Sequence, residues 1–244
     1  MGDTILLLPQ DDGSGEKGSI TDDFMYNNNV AGSHLYIRMG FLRKVYGLLS
    51  MQLLVTAVVA GVCAYTPVVR DTIHTNPWIL LLCFPATLGL LIALHINRHI
   101  VPRNLVLLAA FTVVEAITVG TVVSLYEVAS VVQALVMTLL ITGGLTVYTL
   151  QTKRDFSNMG VGLFVALLCM LGVGILNIFL GSTGLDLLIA GAGALIFSLF
   201  IVFDTQMMMK KLSAEEYILA TINLYLDIIN LFLELLRLFG ERRN

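Results

Sequence analysis

The sequence predicts an all-α membrane protein built as one helical bundle, and three observations predict it. Apolar residues make up 57% of the 244-residue chain and charged residues only 13%. The mean hydropathy of +0.87 is far above the soluble range. Seven apolar runs of about 20 residues, the length an α-helix needs to cross hydrocarbon, follow one another with short connections. They cover roughly 45–66, 78–96, 105–126, 128–150, 160–180, 185–208 and 218–239. No connection is large enough to hold a second domain, and Pro67, Pro77 and Pro102 punctuate three boundaries. The expected organisation is a flexible acidic cytosolic tail over 1–40, one transmembrane domain over 41–240 and a short basic C-terminal tail over 241–244.

The tail carries Asp3, Asp11, Asp12, Glu16, Asp22 and Asp23 and supplies most of the net charge of −3, which argues against a nucleic-acid partner. Its only apolar stretch, Ile5 to Leu8, is too short for a secretory signal, so the first span is expected to act as the anchor. The DDGSGE run at Asp11 lacks the alternating ligand spacing of a calcium loop. Cys63, Cys83 and Cys169 all fall inside apolar runs and read as small core residues rather than a disulfide framework.

Lysine and arginine near the span ends set the orientation. Lys17, Arg38, Arg43 and Lys44 precede the first span, and Arg98, Arg103, Lys153, Arg154, Lys210 and Lys211 occupy the even loops, whereas the odd loops hold only Arg70. A cytosolic N-terminus follows. The C-terminal Arg237, Arg242 and Arg243 conflict with seven full crossings, so the alternative is six spans plus a re-entrant C-terminal hairpin. Small residues recur every fourth position at Ala190, Ala194 and Ser198, and at Gly162, Ala166 and Gly174 with one step skipped, a spacing that lets helices approach closely.

A carboxylate at mid-bilayer costs roughly 3 kcal/mol or more, so each one needs a reason. Glu115, Asp204, Asp227 and Glu234 are the candidates. In the last span Asn223, Asp227, Asn230 and Glu234 fall on one helical face, with Leu226, Ile229, Leu233 and Leu236 on the other. Interhelical polar glue is the bland explanation, but this stripe exceeds what glue usually requires. Two carboxyls about 4 Å apart repel by roughly 4 kcal/mol at an effective dielectric near 20, so a pair holds one proton between them and titrates as a unit. Loss of that proton adds charge that attracts a cation and pushes two helices apart. Carboxylate and amide oxygens suit hard ions such as Ca²⁺, which makes Asp204 and Asp227 candidates for transient Ca²⁺ ligation.

Depth arithmetic qualifies that pairing. With the turn centred near Leu212, Asp204 and Asp227 differ in depth by about 10 Å. Contact therefore requires residues 213–218, where Ser213, Glu215 and Glu216 form a helix-starting pattern, to run along the interface first. Glu215 or Glu216 would then stand at a cytosolic mouth, although either could equally be a solvated helix N-terminus. His95 and His99 have a spacing that can place two imidazoles on one metal, but no further helical histidine or nucleophilic serine completes a hydrolase. Interfacial placement explains them more cheaply, and no P-loop, dinucleotide fingerprint or HExxH occurs. The expectation is that the protein is not an enzyme and needs no cofactor, Ca²⁺ being a permeant ion.

The stretches RKVYGLLSMQLLVTA at Arg43, FTVVEAITVG at Phe111, YTLQTKRDFS at Tyr148, FDTQ at Phe203 and EEYILATINLYLDIINLFLELLRLFG at Glu215 together resemble the transmembrane Bax inhibitor motif (lifeguard) family. TLQTKRDFS, SAEEY and DDFMYNNNVA look most like its Golgi anti-apoptotic branch, and the likeness runs from about Asp22 to Gly240. The resemblance implies six helices around a central seventh, cation leak from Golgi and endoplasmic reticulum stores, and suppression of cell death. It implies that Asp204 and Asp227 are the paired, pH-sensing aspartates, that Arg98 can latch them, and that Glu215 lies near the pore. This chain departs from the family in having no carboxylate between Trp78 and Ile96, a role open to Glu115.

The expected function is a pH-sensitive calcium channel or leak of intracellular store membranes that lowers store calcium and inhibits apoptosis. Asp204 and Asp227 form the gate, Asn223, Asn230, Glu234 and Glu115 the path or its network, Glu215 the entrance and Arg98 the latch. Expected partners are the lipid bilayer, Ca²⁺, protons and other membrane proteins of the death or calcium-release machinery. The alternative is a membrane-embedded interaction protein that suppresses death by binding other membrane proteins without conducting ions.

Overall fold

The structure is a computed structural model that describes residues 35–76 and 78–241. Most of the acidic tail and the last three residues of the basic one lie outside the described residues. Eight α-helices follow: α1 (Leu35–Tyr65), α2 (Pro67–Thr75), α3 (Trp78–Asn97), α4 (Arg103–Val123), α5 (Val128–Gln151), α6 (Gly160–Leu180), α7 (Thr183–Lys210) and α8 (Tyr217–Phe239), with a 3₁₀ turn at Ser157–Met159 before α6. All but α2 are long and apolar enough to cross a membrane.

The helices match the expected spans closely, with two corrections. α1 starts ten residues before position 45, because Phe41, Val45 and Leu49 lie four apart and bury one continuous face from the outset. Residues 35–40 are therefore helix rather than tail. Residues 67–75, expected as a loop, form α2, a nine-residue helix with Pro67 at its first turn, where a missing N–H costs nothing. Further along, the α6–α7 corner turns through Gly181 at φ 61°, a left-handed backbone that suits glycine, and Ser182 caps α7 by accepting from the Leu185 N–H at 3.4 Å.

Helix α8 is the core of the bundle. Two-thirds of its apolar window is buried, against 6% for α3 and for α6. It packs on α1, α4, α5 and α7, while α3 leans on α4 and α6 leans on α7. Such a position lets a spanning helix carry a polar stripe, since Asp227 is buried among its neighbours and Asn223, Asn230 and Glu234 are half-buried rather than exposed. The alternative of a re-entrant C-terminal hairpin is overturned: residues 217–239 form one unbroken helix, about 35 Å long at 1.5 Å per residue.

Packing corrects two further expectations. The small residues of α7 do mark a close contact, Ala190 being fully buried, but its tightest point is Gly193, where an added Cβ would stand 2.8 Å from the Glu234 carboxyl carbon. In α6, by contrast, Gly162 and Gly174 have open space around them, so that stripe is not a helix seam. Cys63 and Cys83 are buried as expected, whereas Cys169 is exposed because α6 is an outer helix.

The basic clusters gather at one end of the bundle. The Lys44 ammonium sits 4.3 Å from the centre of the Tyr217 ring, Arg98 reaches Glu216 at 3.7 Å and Lys210 reaches Asp155 at 3.6 Å. The Asp155 carboxyl, outside the spans, is held below its ordinary range by the Ser157 hydroxyl and amide, with Lys210 adding to the effect.

Candidate functional site: a carboxyl pair in the bundle core

Asp204 and Asp227 come together. Asp204 lies on α7 in the sequence Phe203-Asp204-Thr205-Gln206, between the buried Ile201 and Thr205, and Asp227 is 7% exposed on α8. Their carboxyls are within hydrogen-bonding reach of each other, and the Asn223 amide, one turn before Asp227, donates to Asp204. The Asp227 Oδ2 atom is buried without a hydrogen-bond partner. Two buried carboxyls hydrogen-bond to each other only when one of them carries a proton, so this arrangement suits a proton held between the two.

The non-helical connector 211–216 makes this contact achievable. Asp204 lies six residues before the end of α7 and Asp227 ten after the start of α8. The remaining offset is four residues, about 6 Å. The connector is braced by the Ser213 N–H donating to Glu216 Oε2 at 3.3 Å. Two residues along α7 from Asp204, Gln206 ties down the preceding loop: its amide donates to the Arg154 carbonyl at 2.6 Å and its oxygen accepts from the Phe156 N–H. Phe203 packs over Gly160, where no Cβ would fit without displacing the ring.

The rest of the stripe does not join the pair. Asn230 turns back onto its own helix, donating to the Leu226 carbonyl at 2.8 Å. Glu234, seven residues beyond Asp227 and so about 10 Å further along, faces Gly193 and lies 3.7 Å from Arg237, which also bonds Asp186 at the start of α7. Arg237, one of the three arginines behind the orientation conflict, is met at that end by the carboxylates of Asp186 and Glu234, whereas Arg242 and Arg243 lie outside the described residues. Backbone bonds from Glu127 N–H to the Glu241 carbonyl (2.9 Å) and from Glu241 N–H to Ser130 Oγ (3.0 Å) pin the same end to the α4–α5 corner.

Glu115 belongs to a second polar cluster on the other side of α8. Its carboxyl accepts from the Thr87 hydroxyl and lies close enough to Tyr225 to act on it electrostatically. The Tyr225 and Thr56 hydroxyls bond at 2.8 Å, Gln52 donates to Thr112 Oγ1 at 2.9 Å, and Gln52 Oε1 is left without a partner. Thus Glu115 does not reach the aspartates.

At the basic end Glu215 is exposed, and Glu216 is the residue that meets Arg98. Arg98 does not contact the aspartates. It nevertheless lines, with His95 and Asn223, one cavity of about 250 Å³ between α3 and α8, so it shares a space with the amide that holds Asp204. His99 accepts from Arg98 at 3.0 Å instead of joining His95 on a metal. Among the described residues no group of three or more His, Cys, Asp or Glu is gathered that could hold a metal ion. Two carboxyls and one amide offer a passing hard cation oxygen ligands.

Sequence reasoning missed Gln206, Asp186 as a partner of Arg237, and Tyr225 with Thr56, and it offered Glu216 only as an alternative to Glu215. A buried glutamine beside Asp204 was the available signal for the first. The others depend on which helices become neighbours.

Comparison with known proteins adds an independent finding. The family model described as "Inhibitor of apoptosis-promoting Bax1" matches residues 38–244. The chain is 46% identical over 212 residues to Protein lifeguard 4 of Mus musculus, covering 87% of this chain and 89% of that protein. It is 47% identical over 210 residues to the Golgi anti-apoptotic protein of Vaccinia virus (strain Lister), covering 86% and 89%. It is 35% identical over 215 residues to Bax inhibitor 1 of Schizosaccharomyces pombe, covering 88% and 81%.

Proposed function

The chain belongs to the family of inhibitors of apoptosis-promoting Bax1, and from that premise we propose that this anti-apoptotic membrane protein is a pH-sensitive cation leak, with calcium as its main ion. Its place is the Golgi membrane, and also the endoplasmic reticulum, with the N-terminus in the cytosol. The observation that carries this reading is the contact between the Asp204 and Asp227 carboxyls inside the α7–α8 interface. With one proton shared, the two helices stay together and the core is closed to ions. When that proton leaves, two like charges face each other in a low-dielectric site, the helices separate and a net negative site attracts a cation. Asn223 holds Asp204 toward its partner. Arg98 and Glu216 stand at the cytosolic mouth, and Glu234 with Arg237 at the far one. No covalent step is involved.

Purified protein in liposomes loaded with a calcium dye tests the reading. Flux should rise with pH as the pair loses its shared proton. Asp227→Asn and Asp204→Asn should each abolish the pH dependence, since an amide cannot take part in that exchange. Wild-type pH dependence in both variants would overturn the gate assignment. Protection of cells by variants with no flux would favour the alternative, a protein that acts by binding other membrane proteins.

A further inference from the structure

The cavity between α3 and α8 is the most informative feature that the leak reading leaves unused. It measures about 250 Å³, and six of its nine lining residues are Leu or Ile. Of its three polar groups, Asn223 lies six residues into α8 and has its amide engaged by Asp204, and the other two share one end. His95 and Arg98 come from the last turn of α3 and the residue just beyond it, whereas Leu91 lies deeper along the same helix and Leu226 deeper along α8. The cavity is therefore cationic at the basic end of the bundle and hydrocarbon-like further in. α3 is among the least buried helices, so lipid bathes the helix that forms its outer wall.

Arg98 is held in place. Asn104, fully buried at the start of α4, donates to the Arg98 carbonyl at 2.9 Å and to the Tyr217 hydroxyl at 3.1 Å, which fixes the end of α3 beside the start of α8. The guanidinium faces one acid, Glu216 at 3.7 Å, and one imidazole, His99 at 3.0 Å. A single oxygen contact at 3.7 Å leaves most of its five donors unused. Arginine favours phosphate because its planar fork matches the oxygens in pairs.

We infer that this cavity binds an anionic phospholipid of the leaflet at the basic end, its phosphate between Arg98 and His95 and part of one acyl chain along Leu91, Leu94 and Ile222. A soluble anion would leave the six aliphatic residues without a ligand, and phosphatidylcholine, although it carries the same phosphodiester, would bring its choline cation up against Arg98 and the other basic residues at this end of the bundle, which an anionic headgroup does not. Basic pockets between spanning helices suit lipid headgroups for the same reason. Because Asn223 lines the same cavity, the bound lipid lies next to the side chain that holds Asp204. The site stands whether or not the carboxyl pair gates ions.

Native mass spectrometry of the full-length protein, delipidated and titrated with phosphatidylserine or with phosphatidylcholine of the same acyl chains, tests the inference without any flux measurement. Phosphatidylserine should bind about tenfold more tightly, the order expected from one or two desolvated cationic contacts. Arg98→Gln with His95→Gln should remove that preference. Lys153→Gln with Arg154→Gln, an exposed basic pair away from the cavity, should keep it. Leu91→Trp, which fills the tail portion without altering charge, should weaken both lipids, and covers the case in which the Arg98 variant does not fold. Equal binding of the two lipids, equal loss in the Lys153/Arg154 control, or displacement by millimolar inorganic phosphate would overturn it.

Discussion

Tyr225 shows what a single hydroxyl does inside this bundle. Its ring is fully buried with its edge against Phe111, and its hydroxyl meets Thr56 on α1 at 2.8 Å. In lipid there is no water to replace that bond, yet interhelical bonds of this kind are worth only about 0.6–1.7 kcal/mol. Tyr225→Phe and Thr56→Val should each lower stability by about 1 kcal/mol, and the double variant should cost less than the sum. A double-mutant cycle of unfolding in detergent micelles measures this, and strict additivity would mean the hydroxyls are not bonded. Asp204, Asp227 and Asn223 were legible in the sequence because a carboxyl in an apolar run is conspicuous. Gln206 and Tyr225 were not, because an amide and an aromatic acquire meaning only from the neighbour that the fold supplies. Asn230 and Glu234 share a helical face with Asp227 but not its partner: one turns to the Leu226 carbonyl and the other meets Arg237.

At the level of elements, the α5–α6 connection is fastened to α7 by Gln206 and by the Asp155–Lys210 pair. Gln206→Leu removes two bonds, each worth about 1 kcal/mol, so local opening should become roughly thirtyfold more frequent. Limited trypsin digestion after Lys153 or Arg154 should accelerate accordingly, and an unchanged rate would mean the clamp does not hold the loop. The Asp155 contribution has a definite sign. A carboxyl held below its ordinary range stabilises the clamp at pH values above that range and loses its effect as pH falls through the lowered value. Helix boundaries were legible because hydropathy over about 20 residues is a strong signal. α2 escaped notice because nine residues with an arginine, an aspartate and a histidine resemble a loop until Pro67 is read as a first helical position.

For the molecule as a whole, the decisive arrangement is a central α8 with seven potential crossings. Seven crossings put the two ends of the spanning domain on opposite sides. In a background lacking Cys63, Cys83 and Cys169, a membrane-impermeant maleimide should label Asn158→Cys from the cytosolic side, and Thr75→Cys and Glu241→Cys only from the other. Labelling of Glu241→Cys together with Asn158→Cys would mean that α8 does not cross. The sequence left this open because three C-terminal arginines argued against it, and the ion pair that meets Arg237 is a tertiary fact. The central position of α8 also bears on how the protein is made. The innermost helix leaves the ribosome after the other six, and with a mean hydropathy of 1.6, the lowest of the seven, it is the poorest candidate for independent insertion. Nascent chains must therefore keep six earlier spans loosely assembled around an unfilled axis. Until α8 threads in, Asp204 lacks Asp227 and Asn223, so a chain stalled at that stage presents a bare carboxyl to lipid and should be a ready target for membrane quality control.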